Sequence, residues 1–403
     1  MQFFFDSYLL DIDRRELRCG SDLIAIEPQV FDLLAYLVQN RDRVVSKDDL
    51  FAAVWHGRIV SESTLTSRIN AVRKAVGDSG EQQAVIRTIA RKGFRFVAAI
   101  SEPAGPSSAG TATIAKARSP AMPNHLRQEI HFCTASDGVR IAYAAVGRGP
   151  PLIKTANWLN HLEYDWESPI WSHLLDEIAA THRLIRYDAR GNGLSDWDVP
   201  DISFDAFVRD LETVVDATGL DRFPLFGISQ GCAVSIAYAV RHPKRVTHLI
   251  LYGGYARGRN RRGSQREIEL GNAVLTLMRE GWGQESPEFR MIYTSRFIPG
   301  GTAEQMQWFN DLQRMTTSPE NAIRIRVAMD HIDVSDLLSQ VTVPTLVMHC
   351  RGDAAAPFEE GRRMAAGIRG SHFVALEGRN HLILQSDPSW GRFVGEIKAF
   401  LHR

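Results

Sequence analysis

The chain has 403 residues, of which 44% are hydrophobic and 23% charged, with 47 basic and 47 acidic side chains. These are globular averages; they exclude a wholly disordered, collagen-like or coiled-coil chain, and the length calls for about two to three domains. With zero formal charge no global field draws the molecule onto nucleic acid or a membrane, so any such affinity must come from a local patch.

The start, Met1 to Arg15, contains Phe3-Phe4-Phe5 but also Asp6, Asp11 and Asp13, and has no basic n-region, which argues against a signal peptide. No apolar stretch, Val246 to Leu251 included, approaches the roughly 20 residues that cross a bilayer. A soluble, cytoplasmic protein with no membrane contact is expected. Cys19, Cys133, Cys232 and Cys350 have no CxxC spacing and predict reduced thiols, with neither a disulfide framework nor a zinc site.

Short alternating segments open the chain, at Phe3–Phe5, Tyr8–Leu10, Glu16–Arg18 and Leu23–Ile26, and predict a small antiparallel sheet. Three helical patterns follow. Pro28 suits an N1 position, with Val30, Leu33, Leu34, Leu37 and Val38 on one face up to Asn40. Ser46 caps a second helix with Leu50, Phe51 and Val54 inward, and Ser61 a third with Leu65, Ile69, Val72 and Val76 inward, ended by Gly77. Val85–Ile89 and Phe94–Val97, joined through Arg91-Lys92-Gly93, predict a closing β-hairpin. Three helices and a terminal hairpin in residues 1–100 describe a winged helix.

Charge is distributed unevenly within this unit. Arg58 to Ala98 holds eight basic residues against three acids, whereas residues 1–57 hold six against ten. Cations gathered on the third helix and hairpin are the footprint of phosphate contacts. Ser63, Thr66, Ser67, Asn70 and Arg73 fall off the apolar face of the third helix and are free to reach a groove.

The run Val44-Val45-Ser46-Lys47-Asp48-Asp49-Leu50, the Val54-Trp55 pair, Arg73-Lys74-Ala75-Val76, and Ile86, Thr88 and Lys92-Gly93-Phe94-Arg95-Phe96 resemble the DNA-binding domain of OmpR/PhoB-type response regulators. The resemblance covers essentially residues 1–100. It implies promoter DNA as partner, Thr66, Asn70 and Arg73 at the major groove and its flanking phosphates, Thr88 and Arg91 on the wing, and pairing as a homodimer on repeated half-sites, with RNA polymerase a further candidate partner. Relatives of this kind carry a phospho-accepting receiver ahead of the DNA-binding unit. None precedes this one in the chain, so the input is expected from the C-terminal side.

Residues 101–125 are rich in Ala, Ser, Pro and Gly with no apolar period and predict a flexible or partly extended linker. From 126 to 403 strand-like and helix-like segments alternate, the pattern of an α/β fold with a largely parallel sheet. Expected strands are Ile130–Thr134, Arg140–Val146, Leu152–Thr155, Arg183–Tyr187, Phe223–Phe226, Val246–Leu251, Thr345–His349 and His372–Leu376. Expected helices are Pro169–Ala180, Phe204–Thr218, Gln230–Arg241, Phe358–Ile368 and Pro388–Leu401.

Gly227-Ile228-Ser229-Gln230-Gly231 lies between a strand and a helix. A bare GxSxG is weak evidence, but in this context the turn forces the serine hydroxyl outward. A serine needs a base to take its proton. Asp353 and then His381 follow, each in a loop after a strand, which is the chain order of the α/β-hydrolase fold. Tyr187-Asp188-Ala189-Arg190-Gly191-Asn192-Gly193-Leu194-Ser195-Asp196 is also similar to that family's turn after its fourth strand, and the resemblance spans nearly all of 126–403. It implies Ser229 as nucleophile, His381 as base, Asp353 as its orienting acid, and the Gln230 N–H as an oxyanion donor. The second donor is assigned to Trp158 or Asn157, where this chain departs from the family's His-Gly. No GxGxxG is completed and no metal-binding histidine pair occurs, His161 and His331 included, so no cofactor or metal is assigned.

The stretch from about 255 to 340, helical at Glu304–Met315 and Asn321–His331, reads as a lid. Trp158, Trp166, Trp282, Trp308 and Phe309 read as lid core, with the lining of an apolar cavity as the alternative, and the run Arg257, Arg259, Arg261, Arg262 and Arg266 as a solvated loop, with an anion site as the alternative. Two functions stay foremost, ahead of an interaction scaffold with both sites vestigial. One is a one-component transcriptional regulator whose hydrolase-like domain binds a small organic ligand, its turnover undecided. The other is a serine esterase or lactonase with an accessory DNA-binding domain.

Overall fold

The computed structural model describes residues 2–101 except 6, 21, 25, 42, 55–61, 79–81, 90, 91 and 99, and residues 128–402 except 167, 283, 285 and 286. All but the first residue of the 101–125 segment lies outside the described residues, as does the expected cap Ser61. The chain divides into two compact units, Met1–Ser119 and Pro120–Arg403.

In the first unit β1 (Gln2–Phe5), β2 (Tyr8–Asp11), β3 (Glu16–Cys19) and β4 (Asp22–Ile24) form an antiparallel meander. Side chains alternate across a strand, which buries Phe3 and Phe5 and leaves Phe4 at the surface. Helices α1 (Pro28–Gln39), α2 (Lys47–Val54) and α3 (Glu62–Ala75) follow, then the hairpin β5 (Ile86–Ile89) and β6 (Gly93–Phe96). A short β7 (Ile100–Ser101), absent from the sequence reading, pairs with β1. Ser46 caps α2 by accepting from Asp49 N–H at 3.0 Å, and the Asp49 carboxylate accepts the Ser46 N–H at 3.2 Å, a reciprocal arrangement that satisfies two otherwise orphaned donors.

The hairpin is fixed to the loop before α2 by a two-way backbone bridge between Val45 and Phe94, at 2.8 and 2.9 Å. The approach is so close that a Cβ on Gly93, whose φ is +134°, would fall 2.0 Å from the Val45 carbonyl oxygen. Only glycine fits there.

The second unit is an eight-stranded sheet. Its strands are β8 (Glu129–Thr134), β9 (Arg140–Val146), β10 (Pro151–Lys154), β11 (Arg183–Tyr187), β12 (Phe223–Ile228), β13 (Val246–Tyr252), β14 (Thr345–Cys350) and β15 (His372–Leu376), in spatial order 15-14-13-12-10-11-9-8. Strand β9 runs antiparallel to both its neighbours, β8 and β11, and the other adjacent strands pair in parallel. The central parallel strands are largely apolar, as strands covered on both faces tend to be, with Lys154 on β10, Arg186 on β11 and His349 on β14 as buried exceptions. Helices α4 (Leu162–Trp166), α5 (Ser172–Ala179), α6 (Phe204–Thr218) and α7 (Gly231–Arg241) follow in chain order. Then α8 (Gln265–Gly281), α9 (Pro287–Phe297), α10 (Ala303–Thr316) and α11 (Pro319–Asp330) lie between β13 and β14, with α12 (Phe358–Gly367) and α13 (Trp390–Leu401) after them. No helix among the described residues is long and apolar enough to cross a membrane. The four cysteines are free.

Candidate functional site

On the first unit, burial of Leu65, Ile69, Val72 and Val76 turns one side of α3 into the core. Asn70 and Lys74 are exposed on the other side. Ser63 and Thr66 lie on α3, Thr66 one turn before Asn70 and so on its side of the helix; their side chains are outside the described residues, as is all of Arg91.

Arg73 is not the groove-facing cation expected of it. It is buried, and its Nη2 donates to the Ile86 carbonyl at 2.9 Å and to Thr88 Oγ1 at 2.9 Å. Asp78 completes the tie by accepting the Ile86 and Val85 N–H groups at 2.9 and 3.1 Å. The hairpin folds over the side of α3 that periodicity alone leaves open, so Arg73 holds the wing to the helix. Thr88 is exposed, though its hydroxyl already receives Arg73. The exposed cations of the wing among the described residues are Arg87, Lys92 and Arg95, of which Arg87 and Arg95 are direct cross-strand partners. Like charges placed opposite one another destabilise a hairpin, and an anion lying across them removes the cost. Strand alternation around buried Ile86 and Phe94 was the signal that could have found this pair.

In the second unit Ser229 sits between β12 and α7 with φ at +55°, a region L-residues seldom occupy. The flanking glycines allow the turn: a Cβ at Gly231 would meet the Ala156 carbonyl at 2.8 Å, and one at Gly227 the Ser235 hydroxyl at 2.7 Å. The Ser229 N–H is anchored to the Tyr252 carbonyl at 3.0 Å. Beyond Tyr252, Gly253 packs against the ring of His381 and Gly254 against the Ser229 carbonyl, which brings the two loops to one place.

His381 Nδ1 and Asp353 Oδ2 are 2.7 Å apart. Because the carboxylate can only accept, Nδ1 carries the proton. His381 Nε2 is buried and has no hydrogen-bond partner among the described residues, the Ser229 hydroxyl included, so it is the atom left to take a proton. Asp353 Oδ1 accepts the Ala355 and Ala356 N–H groups at 2.8 and 2.9 Å. Burial would raise this carboxyl, but His381 and a second imidazole, His349, outweigh it and hold it well below the ordinary carboxylate range. His349 Nε2 lies 3.0 Å from the Ala356 carbonyl and 3.5 Å from Asp353 Oδ2. Sequence reasoning missed it, because β14 reads as a uniformly buried apolar strand.

The oxyanion loop departs from expectation. The Trp158 N–H donates to Gln230 Oε1 at 2.8 Å, so a side-chain carbonyl holds the donor assigned to an oxyanion. Asn157 is buried, accepts from Lys154 Nζ, and donates from Nδ2 to the Trp158 carbonyl at 3.4 Å; its amide shapes the loop. The Gln230 N–H lies at the entrance to α7, where helix N–H groups have no internal acceptor.

The lid contributes a run of rings. Trp158 packs on Trp282 at 5.5 Å, Trp282 on Tyr293 at 5.6 Å, Tyr293 on Phe297 at 5.2 Å, and Phe297 on the His381 ring at 5.6 Å. Trp158 Nε1 also donates to the Tyr293 hydroxyl. Ser229, His381, Trp158 and Tyr293 are all buried, so the site is closed. Phe309 continues the run against Phe297, whereas Trp308 stacks on Tyr164, and Trp166 lies beneath Arg186.

Residues 20–96 match the family model described as transcriptional regulatory protein, C terminal, and residues 159–276 match that of the α/β hydrolase fold. The AB hydrolase superfamily protein YisY of Bacillus subtilis (strain 168) is 26% identical over 264 residues, 62% of this chain and 92% of that protein. Among solved structures, the esterase EaEST from Exiguobacterium antarcticum superimposes with a TM-score of 0.57 at 23% identity, over 68% of this chain and 99% of that one. The enol-lactonase from Burkholderia xenovorans LB400 gives 0.55 at 21% identity, over 68% and 100%. Both show the shared fold.

Proposed function

Because this chain joins an OmpR/PhoB-type winged-helix unit to an α/β-hydrolase unit, we propose that it is a DNA-binding transcriptional regulator whose hydrolase-like unit receives a small ester or lactone. The observation that carries this reading is the presence, in one chain, of an exposed α3 and wing face bearing Asn70, Lys74, Arg87 and Arg95 and of a closed site built on Ser229 and the His381–Asp353 pair. The first unit binds promoter DNA as a homodimer on repeated half-sites, and so acts in the cytoplasm. RNA polymerase is the partner through which a bound dimer would change transcription.

Within the second unit, Ser229 Oγ attacks the ligand carbonyl while His381 Nε2 takes its proton, and Asp353 stabilises the imidazolium. The proton then passes to the departing alkoxide, and water repeats the cycle on the acyl-serine. The Gln230 N–H supports the oxyanion, joined by the Trp158 N–H once Gln230 Oε1 withdraws. The names of the relatives, esterase and enol-lactonase, support this reaction class. A second reading, a hydrolase with an accessory DNA-binding unit, is favoured by the uncommitted Nε2 of His381.

The two readings separate in a mobility-shift assay of the full chain on its own upstream DNA, with a panel of esters and lactones, beside esterase assays on p-nitrophenyl acetate. For a regulator, some panel member alters the shift, and Ser229→Ala keeps that response while losing turnover. Turnover lost on Ser229→Ala with no ligand-dependent shift in either protein would leave the hydrolase reading.

A further inference from the structure

Arg259 is a buried cation that forms no direct ion pair among the described residues, the nearby Asp330 being paired with Arg326. It lies in a 3-10 turn, Arg259–Arg261, after β13 and is 6% exposed. Its Nη1 is buried and has no hydrogen-bond partner. The other arginines around it are occupied. Arg257 pairs with Glu360 at 2.8 Å, Arg326 with Asp330 at 3.0 Å, Arg262 donates to the Arg257 carbonyl at 2.9 Å and lies over the Tyr255 ring, and Arg296 donates to the Ala354 carbonyl at 3.1 Å. The helix α8 leaves room for the guanidinium at Gly271, where a Cβ would come within 2.9 Å of Nη1.

A buried charge without a direct ion pair is costly, and here burial together with the field of Arg326, Arg296 and Arg262 draws the guanidinium down to about 10 against the pull of Asp330. The cluster also borders the serine site. Arg296 acts electrostatically on both Tyr293 and Asp353, Tyr293 holds the Trp158 indole, and Tyr255 directly follows the Gly253-Gly254 pair that packs on His381 and Ser229. One unspent guanidinium among paired ones matches a single negative charge, and its planar fork matches a carboxylate.

We propose that Arg259 is the anion-binding end of the ligand site, and that the ligand is an organic carboxylate whose apolar body lies along Trp158, Trp282, Tyr293 and Phe297. This rests on the reading that the hydrolase-like unit receives the ligand, and it names that ligand's class.

The test is thermal unfolding of the full chain at constant ionic strength with sodium phenylacetate, sodium octanoate, phenylacetamide, inorganic phosphate or sodium chloride. At least one carboxylate should raise Tm in proportion to the logarithm of its concentration, while the amide, phosphate and chloride should not. Arg259→Met should raise the half-saturating carboxylate concentration at least about tenfold and should itself melt higher without ligand, because the unpaired charge is gone. Arg259→Lys, which keeps the charge without the fork, should retain a weakened response.

No carboxylate response, equal protection by phenylacetamide, or protection by phosphate alone would overturn the proposal, as would an Arg259→Met protein that still responds normally. Mobility shifts with the same compounds keep the two levels apart. Arg259-dependent carboxylate binding with no effect on the promoter complex leaves the anion site and refutes the regulator. A promoter response to neutral esters that Arg259→Met does not alter does the reverse.

Discussion

Gln230 plays two opposed parts. Its backbone N–H, at the entrance to α7, is the proposed oxyanion donor, while its side-chain oxygen occupies the Trp158 N–H at 2.8 Å. Removing one oxyanion donor costs about two to three orders of magnitude in turnover, so a donor tied up in the resting state lowers the rate by whatever fraction of time the amide stays in place. Gln230→Ala frees Trp158 without touching the backbone donor. Its kcat on p-nitrophenyl acetate is expected to rise about tenfold, a part of that range, as read by steady-state release of p-nitrophenolate. A fall in kcat would mean that the amide supports the reaction. Immediately before Trp158 in the same loop, Asn157 is held by Lys154, which is buried among Asp165, Arg186 and the Trp171 ring. Burial draws this lysine from its ordinary 10.5 down to about 7, against the pull of Asp165. Between those values the unfolded chain holds a proton that the folded chain has released, so stability rises with pH across the window, by up to about 1.4 kcal/mol per pH unit. Lys154→Met deletes that dependence. Urea unfolding at several pH values between 7.5 and 9.5 should show the wild type gaining on the variant as pH rises, whereas a constant difference would show a lysine that titrates normally.

At the scale of elements, α3 and the hairpin act as one body. Arg73 and Asp78 close the helix onto β5 from opposite charges, and neither is free for DNA. Arg73→Met leaves the Ile86 carbonyl without its donor, which should cost about 1–3 kcal/mol and lower the melting temperature of the winged-helix unit. Arg87→Ala should do the opposite on both counts. It relieves the like-charge contact with Arg95 and so does not lower that temperature, but it reduces the slope of log affinity against log salt by about one. Equal salt slopes for wild type and Arg87→Ala would remove the wing from the phosphate contacts. Most of these elements are legible in the sequence because each carries its own local signal: Pro28 at the start of α1, Ser46 before α2, the 3.6-residue stripe on α3, and short apolar runs in β12 to β14. What escapes is whatever a neighbouring element decides. Arg73 reads as outward-facing until the hairpin covers it. The stretch Ile100–Ser101 becomes a strand only because β1 offers an edge. The Ser229, Asp353 and His381 positions are legible from chain order, whereas His349 and the Gln230 side chain become visible only once β14 and the oxyanion loop are assembled.

For the whole molecule, a regulator needs more than two competent sites. The ligand must bind with different affinity to the DNA-bound and free chains, and equilibrium linkage makes that difference reciprocal. If a ligand tightens promoter binding by some factor, promoter DNA must tighten ligand binding by the same factor. Ser229→Ala is the protein in which to measure this, because it removes the attacking oxygen and keeps both partners unchanged during the experiment. Fluorescence anisotropy of labelled promoter at saturating ligand gives one factor, and titration calorimetry of ligand into the protein–DNA complex gives the other. For a sensor working by binding alone, the two should agree, at about 5- to 150-fold for a typical coupling. In the wild type, turnover drains the bound ligand, and the response of the promoter complex should decay at the rate set by kcat. That decay distinguishes a signal that the protein ends by hydrolysis from one that it only reads. Factors that disagree in Ser229→Ala would place the effect outside equilibrium linkage and sink the two-site regulator in the form argued above.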